Sequence, residues 1–173
     1  SESSEYRVPF INTFAGDEPL KIVLETARCM PDILFYITGD TALAKKEDLV
    51  SAPKNVTFTG YLKGDKYWDL LHSSNAIMTL TTNPYSLVAG GTEGMTIGKP
   101  LILSRQPTLL EYFTKGTVFV DHTVDSLVEG VQQAREHEDT LSRESAELAV
   151  EKRTHWENVF SKFEKILAEI DAD

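Results

Sequence analysis

The sequence predicts an α/β domain with a parallel sheet, because short apolar runs alternate along the chain with segments of helical pattern. The runs are nearly continuous in apolar residues, which is typical of strands that are buried on both faces of a sheet. Six runs are predicted as strands: 8–11, 33–37, 56–59, 76–80, 101–103 and 118–120. In such sheets a ligand lies at the carboxyl ends of the strands, so the loops that follow them are candidate binding segments.

The helices are predicted from caps and from apolar spacing. Asp17 is expected as the N-cap of the first helix, with Glu18 and Pro19 in the first turn, where both are favoured. The apolar positions of that helix repeat at helical spacing: Leu20, Val23, Leu24 and Ala27. Further helices are predicted at 44–51, around 67–71, within 89–98, at 125–137 and, as one or two long helices, at 141–170.

Size and charge limit the classes of function. The chain has 173 residues, the size of one domain, and its 17 basic and 27 acidic residues give a net charge of −10. An acidic chain lacks the basic surface that nucleic acids and anionic membranes attract, so neither is an expected partner. The chain has one cysteine, which excludes an internal disulfide. Its four histidines are not spaced as metal ligands usually are, so we expect no metal site. No apolar run reaches the about 20 residues that span a bilayer.

The glycine-rich segment between the fourth and fifth strands carries the clearest binding signal. Gly90 and Gly91 are predicted to follow a strand and to precede a helix, where glycines let the backbone approach an anion. The free N–H groups and the dipole of that helix favour phosphate. Glu93 is predicted in the first helical turn, where a carboxylate either accepts hydrogen bonds from a ribose diol or complements the helix dipole.

With its flanks, this segment resembles the nucleotide-sugar loop of retaining GT-B glycosyltransferases, glycosyltransferase family 4 (group 1), whose motif reads E-x7-E followed by A-M-A-x-G-x-P. Residues 93–100 (EGMTIGKP) are similar to the second half of that motif. Residues 34–40 (LFYITGD) are similar to the family's strand ending in G-D, and residues 55–61 (NVTFTGY) to its N-V-x-F-x-G-y. The resemblance implies that residues 1–173 form a single Rossmann-like domain, the C-terminal, donor-binding half of a GT-B enzyme, cut from a longer two-domain protein.

Three positions depart from the pattern of that family. The first Glu of E-x7-E would stand eight residues before Glu93, where this sequence has Tyr85. In the first loop, residues 12–19, Thr13 and Glu18 stand where the family carries an Arg and a Lys that neutralise the diphosphate. A diphosphate bound here is therefore expected to rely on backbone amides and on the missing domain.

The resemblance also implies a set of donor-binding residues. Glu93 would hold the ribose hydroxyls, residues 89–92 the phosphates, and the Tyr61–Leu62 backbone would border the base. Tyr61 is alternatively an aromatic cap over the sheet edge. Arg105, just past the fifth strand, either pairs with a phosphate or is a surface residue. The predicted donor-binding set is Thr13, Tyr61, Leu62, Tyr85, Gly90, Gly91, Thr92, Glu93 and Arg105.

The function implied by the resemblance is donor binding in a retaining glycosyltransferase, which moves a sugar from a nucleotide diphosphate sugar to an acceptor hydroxyl. The missing N-terminal domain would hold the acceptor, so this chain by itself is expected to bind the donor and to turn over little. The nucleotide sugar is a substrate, and neither a cofactor nor a metal is expected. The alternative is a degenerate domain that serves as a non-catalytic binding or scaffolding module, which the three departures favour.

Location and domain contacts follow from the same resemblance. The protein is expected in the cytoplasm, and any peripheral contact with a membrane would be made through the missing domain. In the family, the last helices cross towards the N-terminal domain. An apolar stripe at helical spacing is therefore expected either in the core or partly exposed: Trp156, Val159, Phe160 and Phe163.

Overall fold

A six-stranded parallel sheet with helices on both faces forms the centre of the computed structural model, which describes residues 5–170 of the predicted domain 1–173. The strands are β1 (Tyr6–Phe10), β2 (Ile33–Thr38), β3 (Val56–Gly60), β4 (Ile77–Thr79), β5 (Leu101–Ser104) and β6 (Thr117–Val120). Their order in the sheet is β3-β2-β1-β4-β5-β6, and every neighbouring pair is parallel. All six predicted strands are therefore confirmed.

The helices follow the predicted pattern with one addition. They are α1 (Leu20–Cys29), α2 (Lys46–Ser51), α3 (Asp65–His72), α4 (Ala89–Thr96), α5 (Pro107–Tyr112), α6 (Val124–Glu136) and α7 (Glu138–Ile170). The sequence did not predict α5, whose six residues are too few to show a helical repeat. It begins with a proline in the first turn and buries Leu109. The segment expected as one or two helices is the single helix α7.

Asp17 is not the N-cap of the first helix, so that prediction is wrong. The helix α1 begins at Leu20, and Pro19 is at the cap position, with no side-chain hydrogen bond to the helix. The Asp17 carboxylate instead accepts a hydrogen bond of 2.5 Å from the Thr81 hydroxyl, in the loop after β4. The Asp17 carbonyl also accepts one from the Thr82 N–H. These contacts join the loops that follow β1 and β4.

The core lies in two layers, one on each face of the sheet. On one face, α1 and α6 pack on the central strands with fully buried side chains: Val23, Ala27, Leu127, Val131 and Ala134. On the other face, α3, α4, α5 and the first half of α7 contribute Leu71, Met95, Leu109 and Leu148. Because both faces are covered, the inner strands β1, β2, β4 and β5 are apolar in nearly every position, whereas the edge strand β3 has no buried residue.

The last helix has two halves with different surroundings. Its first half contacts α4 and buries Ser145 and Leu148. In its second half, the predicted apolar stripe is exposed, with 68% of Trp156, 56% of Phe160 and 55% of Phe163 accessible to solvent. Among residues 5–170, the stripe therefore belongs to neither core layer, and core packing, one of its two expected placements, is wrong.

Candidate functional site

The strand order reverses between β1 and β4, so the loops that follow these two strands diverge to opposite sides. In open α/β sheets, the crevice at such a point is where ligands bind. Two clefts open here, at the carboxyl ends of the strands, and the loop after β1 contributes to both. We call them the first cleft, which lies towards β2 and β3, and the second cleft, which lies towards β4 and α4.

The first cleft has a volume of about 380 Å³ and lies at the ends of β1, β2 and β3. Predicted site residues Thr13, Tyr61 and Leu62 line it, together with Gly39 and with Tyr67 of α3. Tyr61 is 69% exposed, so a large part of its ring is open to solvent or to a ligand. The accessible surface of the cleft is mainly apolar, as in most small-molecule sites, and its polar residues are Asn12, Thr13, Thr38 and Asp40.

Gly39 lets the loops after β1 and β2 approach each other at the floor of this cleft. Its φ of +110° is strained for any residue with a Cβ, and a Cβ here would lie 2.6 Å from the Asn12 carbonyl oxygen. Thr38 and Asn12 join the same loops, because the Asn12 N–H donates to the Thr38 hydroxyl at 2.9 Å. The residue that follows β2 must therefore be a glycine for a steric reason.

Glu93 lines neither cleft, but it is hydrogen-bonded to Tyr67 in the wall of the first cleft, a residue that the sequence analysis missed. The Tyr67 hydroxyl donates a short hydrogen bond to Glu93 Oε2. Burial and the Glu93 carboxylate raise the pKa of the Tyr67 hydroxyl, which therefore stays protonated and able to donate. Helix α4 begins at Ala89, so Glu93 lies in its second turn, and the prediction of the first turn is wrong.

The glycines of α4 serve packing, and the prediction that they precede the helix is wrong. Gly90 and Gly91 are buried in its first turn. A Cβ on Gly90 would lie 2.6 Å from Thr79 Oγ1 and 2.8 Å from Ile11 Cβ. A Cβ on Gly91 would lie 2.9 Å from the Phe113 ring. Small residues here let the helix lie close to the sheet, which brings its N-terminus to the second cleft.

The second cleft has a volume of about 200 Å³ and is acidic. Asp17 and Glu18 line it on one side, and Ala89 and Gly90 at the start of α4 on the other. No Lys or Arg of residues 5–170 contributes to its walls. Thr13 is shared with the first cleft, so the two clefts adjoin at the loop after β1.

The remaining predicted site residues lie outside both clefts. Tyr85 is 86% exposed in the loop after β4. Arg105 donates to the Phe119 carbonyl at 3.1 Å, and its Nε lies 3.5 Å from an Asp121 carboxylate oxygen. The Thr92 hydroxyl donates to the Ala89 carbonyl within α4. The structure thus brings together Thr13, Tyr61, Leu62 and Gly90, with Glu93 joined to the cleft wall through its tyrosine partner.

The family of the chain follows from its sequence profile. The profile of the family "Glycosyl transferases group 1" matches residues 2–155, which is most of the chain. The chain belongs to the group 1 glycosyl transferases. No curated protein sequence matches this group 1 chain.

Solved structures of glycosyltransferases share the fold of this group 1 domain. Sucrose-phosphate synthase from Thermosynechococcus elongatus is 16% identical, with a TM-score of 0.70 over 94% of this chain and 47% of that one. Anabaena Alr3699/HepE in complex with UDP is 14% identical, with a TM-score of 0.77 over 95% of this chain and 49% of that one. The structure of Alr3699/HepE in complex with UDP-glucose is 17% identical, with a TM-score of 0.72 over 86% of this chain and 45% of that one. The chain thus spans about half the length of these neighbours.

These matches confirm the predicted fold class, a Rossmann-like α/β domain of the kind found in GT-B glycosyltransferases. Within residues 5–170, no group of three or more His, Cys, Asp and Glu side chains could hold a metal ion. No helix within residues 5–170 is both long enough and apolar enough to cross a membrane.

His122 makes a partly buried contact that the sequence analysis did not find. Its Nε2 lies 2.7 Å from the Ser104 hydroxyl oxygen, which also accepts a hydrogen bond of 2.9 Å from the Thr81 N–H. The Ser104 hydroxyl therefore has its proton available for the neutral imidazole. Burial lowers the pKa of His122, and the nearby Asp121 partly opposes that effect. Ser104 is fully buried at the end of β5, so this pair links strand ends.

Proposed function

We propose that this domain binds a nucleotide diphosphate sugar and is the donor half of a retaining GT-B glycosyltransferase of family 4. The observation that carries the proposal is the pair of adjoining clefts at the reversal of strand order, in a chain of the group 1 family. One structural neighbour, Anabaena Alr3699/HepE, has been solved in complex with UDP, with UDP and glucose, and with UDP-glucose. These complexes support a nucleotide sugar as the ligand of this chain.

The nucleoside would occupy the first cleft. Its base would contact the Tyr61 ring and the backbone of Tyr61 and Leu62, which line the cleft wall. Its ribose would donate hydrogen bonds to the Glu93 carboxylate, which Tyr67 already orients with a hydrogen bond. Hydrogen bonds to a charged acceptor are shorter and stronger than those between neutral groups, so this contact would dominate recognition of the ribose.

The diphosphate would lie in the second cleft, between the loop after β1 and the start of α4. The first N–H groups of α4 have no partner within the helix, and the helix dipole favours a negative charge at this end. The buried Gly90 and Gly91 support this role indirectly, because they let the helix approach the sheet. Catalysis in such a site consists of stabilising the departing diphosphate, which is an electrostatic task.

The acceptor would be held by a second domain, in a protein longer than this chain. The exposed stripe on the second half of α7 supports a packing partner there. By itself this chain would bind the donor and turn over little. We further propose a cytoplasmic protein that contacts membranes, if at all, through that second domain.

Binding of nucleotides tests the proposed function directly. Uridine, guanosine and adenosine diphosphates and their sugars are added to the chain, and its melting temperature is measured. A diphosphate that binds at a hundredfold excess over its Kd stabilises the folded state by about 2.7 kcal/mol, and the matching nucleoside is expected to stabilise it less. If no diphosphate at millimolar concentration shifts the transition, the donor-binding proposal is wrong.

We propose that donor binding needs no cofactor and no bound metal. Nucleotide affinity is measured by calorimetry with excess Mg²⁺ and again with a chelator. Equal affinities are expected, because the clefts offer no set of metal ligands among residues 5–170. Tight binding of Mg²⁺ or Mn²⁺ in the absence of nucleotide would contradict this.

A second candidate is a non-catalytic module that keeps the fold and has lost transfer. The observation that favours it is the acidic second cleft, where Asp17 and Glu18 contribute carboxylates and the described residues contribute no cation. Tyr85 in place of the first motif Glu points the same way. Hydrolysis or transfer of a sugar nucleotide by the full-length protein separates the two candidates, since the module would bind partners and release no nucleoside diphosphate.

A further inference from the structure

We propose that the Glu18 carboxylate occupies the position of a donor phosphate in the loop after β1 and competes with the diphosphate for it. The inference rests on the proposed function and adds a residue that sets donor affinity. Glu18 would hold that affinity low in the resting protein, because a phosphate must displace the carboxylate before it can reach the same donors.

Neutral hydrogen-bond donors converge on this one side chain. Glu18 Oε2 accepts from the Thr13 N–H at 2.9 Å and from the Ala15 N–H at 2.8 Å. The Thr13 hydroxyl lies 3.1 Å from the same oxygen. With its side-chain amide oriented to satisfy both of its polar atoms, Asn12 Nδ2 donates to Oε2 at 3.0 Å. Asn12 is only 1% exposed, so its amide belongs to the built wall of the loop.

The backbone of the loop is shaped to hold an anion. Phe14 has a φ of +62°, which is rare for a bulky residue, and this turn directs the N–H groups on either side of it to one point. Its ring packs 6.4 Å from the Phe58 ring and against Gly39, which stabilises the unusual conformation. Backbone N–H groups that converge in this way form the concave anion sites found in many phosphate-binding loops.

The occupant of this loop can be exchanged, because Glu18 is only half-buried and makes no ion pair among the described residues. Its side chain also borders the second cleft, in which the diphosphate is proposed to lie. A phosphate that enters the cleft therefore meets a like charge, and it finds the loop donors already satisfied. Replacing Glu18 by Gln relieves the repulsion and leaves a neutral amide oxygen on the loop donors, a weaker acceptor that a phosphate displaces more easily.

The test compares the full chain with Glu18→Gln and with Glu25→Gln, which removes the same charge from an exposed position on α1. Calorimetry measures the affinity of each protein for uridine diphosphate, uridine and inorganic pyrophosphate. We expect Glu18→Gln to bind both diphosphate probes at least about fivefold more tightly. This factor corresponds to the repulsion between two unit charges at close range in water. Uridine affinity is expected to stay equal in all three proteins.

Amide resonances give a readout that a general change of charge would not move. In Glu18→Gln, pyrophosphate is expected to shift the ¹⁵N–¹H signals of Thr13 and Ala15, and in the parent chain to shift them only at higher concentration. Melting temperatures of the three proteins establish that each is folded before binding is compared.

The outcomes separate this inference from the proposed function. Equal diphosphate affinities in Glu18→Gln and the parent chain, or unmoved Thr13 and Ala15 signals, overturn the inference and leave donor binding intact. If no protein binds uridine or uridine diphosphate, the proposed function fails, and the pyrophosphate titrations still decide whether Glu18 occupies an anion site. A gain equal to that of Glu25→Gln also overturns the inference, because net charge would then explain it.

Discussion

At the scale of single residues, Glu93 is the side chain whose role is most sharply testable. Its carboxylate accepts from the Tyr67 hydroxyl and lies in the second turn of α4. The stabilising effect of a carboxylate on the helix dipole falls off beyond the first turn. The alternative role that the sequence left open, complementing the dipole, is therefore weakened by the position of the helix start.

Glu93→Gln is expected to weaken nucleotide binding more than it weakens the fold. The substitution keeps the shape and removes a charged acceptor, which costs about 1.5–3 kcal/mol of affinity if the ribose donates to it. Calorimetry with a ribonucleotide and with its 2′,3′-dideoxy analogue measures the effect. The dideoxy analogue should bind both proteins alike. A variant that melts earlier and binds as tightly as the parent would show that Glu93 does not contact the ribose.

Tyr67→Phe separates positioning of Glu93 from direct contact. The substitution removes one hydroxyl and leaves the ring in the wall of the first cleft. If Tyr67 only orients the carboxylate, the variant binds ribonucleotide more weakly than the parent but more tightly than Glu93→Gln. This comparison is the control for the preceding experiment.

His122 is expected to make stability depend on pH. Its pKa is lowered in the folded state by burial, so the folded protein binds protons less well there than the unfolded chain does. The stability that neutral His122 contributes to the folded state is fully present above the unfolded pKa of about 6.5. It is lost as the pH falls through the lower, folded pKa. Denaturant unfolding of the parent and of His122→Gln below pH 6.5 measures this. Identical slopes of stability against pH in the two proteins would contradict the prediction.

At the scale of secondary structure elements, α4 depends on its glycines for the distance between helix and sheet. Gly90 faces Ile11 and Thr79, and Gly94 faces Leu101 and Ile77, where a Cβ would lie 2.7 Å from the Leu101 side chain. Glycine normally weakens a helix interior by about 1 kcal/mol relative to alanine. Close packing reverses that preference here, because the helix would have to move away from the strands to admit a methyl group.

Gly90→Ala is expected to destabilise the domain, although alanine is the better helix former. Its Cβ would lie 2.8 Å from Ile11 Cβ, an atom that cannot move without its backbone. Overpacking of this kind costs about 1–3 kcal/mol. Thr96→Ala, on the exposed face of the same helix, is the matched control and should change stability by no more than about 0.5 kcal/mol. Denaturant midpoints decide, and a Gly90→Ala variant as stable as the control would refute the packing argument.

At the scale of the whole molecule, the sheet topology creates the site. The reversal of strand order between β1 and β4 separates two loops, and each cleft is built from segments that are distant in sequence. The contact between Asp17 and Thr81 spans that reversal and joins the two sides. A ligand in both clefts would therefore contact the ends of β1, β2, β3 and β4 together.

The exposed half of α7 is expected to contribute nothing to the stability of this chain alone. The double substitution Phe160→Gln and Phe163→Gln should change the free energy of unfolding by no more than about 0.5 kcal/mol, because both rings are mostly exposed. Leu148→Ala on the buried half of the same helix should cost about 2–5 kcal/mol. Chemical denaturation compares the three proteins. A large loss in the double variant would mean that the stripe is packed in solution.

The sequence by itself determined the elements of the sheet and most of its helices. Burial on both faces makes a strand apolar in nearly every position, and this local signal needs no knowledge of neighbouring strands. The same is true of the amphipathic pattern in α1, whose apolar positions Leu20, Val23, Leu24 and Ala27 are buried. The short helix α5 was not predicted, because its six residues form less than two helical turns and show no repeat of apolar positions.

Only the tertiary structure decided how the site is arranged. The contacts between Tyr67 and Glu93, between Gly90 and Ile11, and between Asp17 and Thr81 join residues far apart along the chain. Spacing reports whether a residue faces the core, and it carries no information on which distant residue it meets there. Glu18 is the clearest case. From the sequence, Glu18 was notable only because it stands where the family carries a cation. In the folded loop its carboxylate accepts from the N–H groups of Thr13 and Ala15, because the left-handed turn at Phe14 makes these groups converge.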